Sequence, residues 1–131
     1  MPTRSSFDYA VIRVVPRVER EEFVNAGVIL FCRTRRYLAA RTKLDEARLR
    51  ALWPDVDVDA VRAHLAAFER VAAGGPGSGP IGRLPMADRF HWLTAPRSTV
   101  VQVSPIHAGL TEDPARELDE LVHSLVDVPR S

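Results

Sequence analysis

Residues 7–16 read FDYAVIRVVP, and this stretch decides the fold. β-branched and aromatic residues dominate it and Pro16 ends it, which predicts a strand. Alternation puts Phe7, Tyr9, Val11, Arg13 and Val15 on one face, and Asp8, Ala10, Ile12 and Val14 on the other. Both faces are largely apolar, as in a central strand covered on both sides. Arg13 is the exception: a charge on a covered face must be paired or reach water.

The segments around it follow from this strand. Residues 17–25, RVEREEFVN, form a charged connection with room for one helical turn over 19–23. Residues 26–33, AGVILFCR, predict a second strand, 34–36 a polar turn, and 37–42, YLAART, a third strand. Connections this short favour antiparallel neighbours. The period then changes. Asp45 can cap a short helix ending at Leu52, before Pro54, and Asp57 can cap a longer one reaching Ala73. Val58, Val61, Leu65, Phe68 and Ala72 recur at helical spacing and form the buried stripe of that longer helix. Residues 74–80, GGPGSGP, predict a flexible loop. MADRFHWL at 86–93 predicts a short helix, STVVQVS at 98–104 a fourth strand, and 105–111 a loop. Asp113 followed by Pro114 starts a last helix, whose apolar stripe is Leu118, Leu121, Val122, Leu125 and Val126. The expectation is an α+β fold: a mostly antiparallel sheet of about four strands covered by about three or four helices, in a single domain over residues 1–131.

Composition agrees. The chain has 131 residues, 46% hydrophobic and 27% charged, which is globular rather than disordered. Eighteen basic and 17 acidic side chains give a net charge of +1, without the excess of a strongly basic nucleic-acid binder. No apolar run approaches the ~20 residues of a membrane helix. Cys32 is the sole cysteine, so no intrachain disulfide can form, and the expected location is cytoplasmic. Lys43 is the only lysine; every other basic residue is arginine, the side chain suited to bidentate recognition of carboxylate or phosphate.

The chemistry is thin. There is no Walker loop, no GxGxxG after a strand and no GxSxG elbow. One cysteine and four scattered histidines give no zinc pattern, so neither a metal nor a cofactor is implied. The binding candidates are local clusters. Arg13 either pairs with Glu21 or Glu22 or binds an anion, and Gln102, Ser104 and Arg33 could join it in a polar patch on the sheet. Arg17, Glu22 and Asn25 could meet at a strand edge, although Asn25 and Gly27 also suit a bulge. Arg89, His91, Trp92 and Arg97 lie on or just after the short helix at 86–93; Trp92 with Phe90 suits core packing, an aromatic beside arginine also suits stacking, and helical spacing sets Arg89 and His91 on other faces than Trp92. Ser104 and His107 stand three residues apart, but a nucleophile needs an orienting acid and an oxyanion hole, and neither is identifiable.

FDYAVIRVVPRVEREEFVNAGVILFCR at 7–33 and GPIGRLPMADRFHWLTAPRSTVVQVSPIHAGL at 79–110, with the acid-capped last helix, resemble the bacterial family catalogued as domain of unknown function 3037. The resemblance spans almost the whole chain. Its motifs include Arg13, Arg17, Glu22, Asn25, Gly27, Arg89, His91, Trp92, Arg97, Ser98, Ser104, Pro105, His107 and Gly109. It implies no catalytic residue. It does imply a setting, since some members are encoded beside a HipA-like kinase. The expectation is therefore a non-catalytic protein-binding accessory module, antitoxin-like or a kinase partner. The alternatives are a small enzyme or binding domain for an anionic metabolite or nucleotide, with Arg13, Arg17, Arg89, Arg97 and His107 converging, and a nucleic-acid binder using Arg33, Arg35, Arg36 and Arg41 around one hairpin. Homo-oligomerisation stays open.

Overall fold

A computed structural model describes residues 3–127. The fold is α+β, as expected. Strands β1 (Ser5–Val14), β2 (Val24–Cys32), β3 (Tyr37–Thr42), β4 (Val101–Val103) and β5 (His107–Thr111) form one antiparallel sheet. Helices α1 (Glu46–Leu52), α2 (Val58–Ala73), α3 (Gly79–Gly82), α4 (Met86–Thr94) and α5 (Pro114–Leu125) cover it. The lateral order is β3-β2-β1-β4, with β5 also on β1. Along one side of β1, β5 pairs with Ser5–Tyr9 and β4 with Ile12–Val14. β1 is thus an inner strand, as its two apolar faces require.

The faces separate into two cores. Ile12, Val14, Ile29 and Phe31 pack under α1, α2 and α4 with Leu49, Leu65, Phe68, Phe90 and Leu93. The rings of Phe31 and Phe90 lie 5.1 Å apart at their centroids. On the opposite face, Phe7, Val28, Leu30 and Cys32 pack against Leu118, Val122 and Val126. This α5 layer rests on β2 and β3. Asn25 ties its end down by donating to the Leu125 carbonyl at 3.0 Å, and Lys43 bonds Asp127 at 2.6 Å.

The three aspartate caps form as read. Asp45, Asp57 and Asp113 accept from the amides of Arg48, Ala60 and Arg116 at 3.1, 3.1 and 3.2 Å. Each takes up an amide that the first helical turn leaves unpaired. The bulge expected at Asn25–Gly27 is present too: Ile12 pairs with Gly27 but Arg13 with Asn25, leaving Ala26 as the extra residue.

Four details differ from the sequence reading. The strand expected at 98–104 is confined to Val101–Val103. The loop expected at 105–111 contains β5, although HAGLT is poor in strand formers. Pairing with β1 and the Phe7 ring lying over Gly109 supply what propensity lacks, since a Cβ on Gly109 would stand 2.7 Å from that ring. The glycine loop is shorter than 74–80, because Gly79 and Pro80 begin α3. Gly74, Gly75, Gly77 and Gly79 all take positive φ, which explains the glycines. The helical turn expected at 19–23 is a 3-10 turn at Val18–Arg20.

Gly27 sits where β2 and β3 approach most closely. A Cβ there would meet the Arg41 carbonyl oxygen at 2.6 Å and Ile12 Cδ1 at 3.1 Å. Backbone cannot move aside cheaply, so Gly27→Ala is expected to destabilise the protein by about 1–3 kcal/mol, the usual scale of overpacking. Urea denaturation followed by circular dichroism measures it, and an unchanged midpoint would show that the strands can part at this point.

Candidate functional site

The sequence candidates divide between the two faces of the sheet. Arg13, Asn25, His107 and Ser104 lie on or beside β1 and its neighbours. In register, Arg13 stands between Asn25 on β2 and Gln102 on β4, a polar row across three strands. Arg13 and Gln102 are therefore neighbours, as anticipated. Arg33 is not among them: it follows the far end of β2, with its guanidinium 5.9 Å from the Phe31 ring.

Arg13 does not pair with Glu21 or Glu22. Glu22 instead takes the Arg20 guanidinium, and the Arg13 guanidinium lies over the Phe23 ring, 4.2 Å from its centroid. Among the described residues no carboxylate pairs with Arg13, and its buried Nε has no hydrogen-bond partner. The Asn25 Oδ1 atom, on the neighbouring strand, is also buried and unpartnered. Phe23 itself is 43% exposed. Two residues along the same face beyond Val11, Tyr9 stacks on His107 with ring centroids 5.2 Å apart, and His107 is exposed. The helix α5 rests on β2 and β3, which leaves Phe23 and His107 exposed on this face with Arg13 and Tyr9 half-buried between them.

Ser104 has a different task. Its hydroxyl accepts from the Val11 amide at 2.8 Å and donates to the Pro105 carbonyl at 2.9 Å, and the residue is buried. The hydroxyl stands in for a backbone acceptor where β4 leaves β1. With both roles occupied it is no poised nucleophile, and His107 turns to Tyr9 instead.

On the other face, Arg89 and Arg97 close helix ends. Arg89 donates to the Leu84 carbonyl at 2.8 Å and to the Ala72 carbonyl, in the last turn of α2, at 3.4 Å. Arg97 donates to the Trp92 and Leu93 carbonyls of α4 at 2.8 and 3.1 Å, with its guanidinium 5.0 Å from both the Trp92 and the Phe68 rings. Burial pulls its pKa below the ordinary arginine value. Asn25 does the same service for α5. Three of the candidates thus satisfy carbonyls that a helix C-terminus leaves without amides. Trp92 is 38% exposed, and His91 is exposed beside it. Arg17 lies over the Trp53 ring at 4.5 Å and pairs with Glu19 at 2.7 Å, in a group with Arg20 and Glu22.

The arginines therefore do not converge. A cleft of about 460 Å³ opens between the 3-10 turn, the start of α2 and residues 98–101, lined chiefly by valines with Asp57 and His64 as its ionisable groups. None of Arg13, Arg17, Arg89 or Arg97 lines it, and Asp57 is occupied as a cap. Two of the four hairpin arginines are engaged, Arg35 with Ser5 at 3.0 Å and the Thr3 carbonyl and Arg41 with Asp119, while Arg33 and Arg36 are exposed. Among the described residues no group of three His, Cys, Asp or Glu side chains could hold a metal ion, and no helix is long and apolar enough to cross a membrane.

A sequence reading could not have found Phe23 as the partner of Arg13. The signal, an aromatic two residues before the bulge at Asn25, acquires meaning only once the register is known.

The comparisons give a family without an activity. A family model described as a protein of unknown function, DUF3037, matches residues 9–126. No curated protein and no solved structure matches the chain.

Removing the Ser104 hydroxyl strands the buried Val11 amide. Ser104→Ala is expected to cost about 1–3 kcal/mol, the penalty for an unpaired buried donor. Thermal unfolding measures it, and a melting temperature within error of wild type would show that the hydroxyl is dispensable to the fold.

Proposed function

The chain belongs to the DUF3037 family, and we propose that it is a non-catalytic protein-binding module, with a HipA-like kinase as the partner that the family resemblance suggests. The observation that carries this reading is the Arg13–Phe23 pair. A guanidinium stacked on an exposed aromatic ring, with no carboxylate of its own, is the kind of group that anchors protein interfaces. The ring restrains the guanidinium and lowers the entropy lost on docking. Its donors suit a carboxylate or a chain-end carbonyl of the partner, and Tyr9 and His107 extend the surface with stacked rings. A net charge of +1 is compatible with a protein partner and offers little to a phosphate backbone.

The anionic-metabolite reading draws less support, because the arginines it needs lie on opposite faces and the cleft is apolar. Arg97 has its terminal donors on carbonyls, and Arg89 bonds two carbonyls while its buried Nε stays unpartnered.

Titration calorimetry against the purified HipA-like kinase of the same genome tests the proposal, alongside affinity co-purification from the native host. A stoichiometric complex is expected. Arg13→Ala and Phe23→Ala should each weaken it by about tenfold or more, as interface anchors do, while Trp92→Ala on the opposite face leaves it unchanged. No partner in either experiment, or a complex indifferent to both substitutions, overturns the reading.

A further inference from the structure

The outer edge of β5 carries a second message. Among the described residues the two most exposed large apolar side chains are Leu110, 61% exposed, and Ile106, 51% exposed. Ile106 immediately precedes the strand and Leu110 lies within it. With Ala108 between them they project on one face, the face that Ser6 and Asp8 share on β1.

The backbone of this edge can be oriented from its neighbours. The Val11 amide and carbonyl both meet Ser104, and the Val15 amide meets the Val100 carbonyl. Odd-numbered residues of β1 therefore turn their polar groups toward β4 and β5. Opposite them, His107, Gly109 and Thr111 turn theirs inward, since they register with Tyr9, Phe7 and Ser5. Ile106, Ala108 and Leu110 turn theirs outward, where β5 has no further strand. The other sheet edge, β3, is guarded by Arg41 and followed by Lys43. β5 itself has no charged residue; Pro105 precedes it and Glu112 and Asp113 follow it, so residues 106–111 carry none of the charges that keep edges from pairing.

We infer that this edge pairs with the same edge of a second copy, antiparallel and centred on Ala108, so that two sheets join into one. The pattern is symmetric about that residue. A two-fold axis at Ala108 sets Ala108 against its copy and Ile106 against Leu110 of the other chain, twice. All three outward residues then fall in hydrogen-bonded pairs, and the apolar side chains cover one another. A two-fold interface needs a patch complementary to itself, and this one is. Centring one residue later would set Ile106 against Glu112. The register centred on Ala108 instead keeps Ile106 and Leu110 facing each other at both ends of the pairing. The inference is separate from the proposed kinase partner, because neither Arg13 nor Phe23 takes part in it.

Strand addition alone buries less than the ~1,200 Å² of a standard interface, so a concentration-dependent dimer is expected rather than a permanent one. Sedimentation equilibrium of the full chain between about 5 and 500 µM should show the mass rising from one chain toward two. Leu110→Lys should hold it at one chain across that range, with the circular dichroism spectrum and melting temperature close to wild type. Ala108→Cys supplies the register: the two thiols face each other across the axis at about 5.5 Å between Cα atoms, within disulfide reach, so mild oxidation should cross-link it. The wild-type chain, whose Cys32 is buried, serves as the control. A chain that stays monomeric throughout overturns the inference and leaves the edge to another protein's strand. A dimer that survives Leu110→Lys and leaves Ala108→Cys unlinked overturns it as well.

Discussion

The structure depends on one constraint: β1 must be paired along both edges and covered on both faces. Its one side takes β2 along nearly its whole length, and its other side is shared end to end by β5 and β4. Two short segments far along the chain thereby become strands because β1 offers them amides and carbonyls. Neither could stand as a strand by itself, since the ladder supplies the hydrogen bonds that a buried backbone needs. The Ser104 hydroxyl, placed where β4 ends, completes the pairing of Val11 between the two.

The covering is unequal, and the inequality leaves a usable surface. Helices α1, α2 and α4 build one layer around Leu49, Phe68 and Leu93, whereas α5 alone serves the other, over β2 and β3. The bulge at Ala26 matters here. By inserting one residue it lets Val24 and Ala26 both serve the larger core while Asn25 reaches the end of α5. Arg13, beside the bulge, finds Phe23 in place of a carboxylate. The polar row it shares with Asn25 and Gln102 marks the boundary between the covered and open parts of that face.

Arginine serves two purposes in this chain. Arg89 and Arg97 place planar, multi-donor groups against helix-end carbonyls, where each guanidinium satisfies two acceptors and its flat face packs on neighbouring groups. Arg13 and Arg17 lie over aromatic rings nearer the surface. In sequence the four look alike, because each is an arginine beside aromatic or turn residues. What distinguishes them is where their donors point, toward helix-end carbonyls for Arg89 and Arg97 and over aromatic rings for Arg13 and Arg17.

The local elements were legible in the sequence because their causes are local. Alternation and β-branching mark β1, β2 and β3; Asp45, Asp57 and Asp113 mark three helix starts; the repeat Val58, Val61, Leu65, Phe68 marks the buried face of α2; and Asn25 to Gly27 marks the bulge. Each of these follows from the geometry of a few neighbouring residues. The tertiary structure alone decided that HAGLT is a strand, that Asn25, Arg89 and Arg97 hold helix ends, and that Arg13 meets Phe23. Apart from Arg97, which caps the helix just before it, those contacts rest on how separate segments meet, up to 100 residues apart as between Asn25 and Leu125. A slip of one residue in a strand moves every side chain to the opposite face, so no local reading could have placed them.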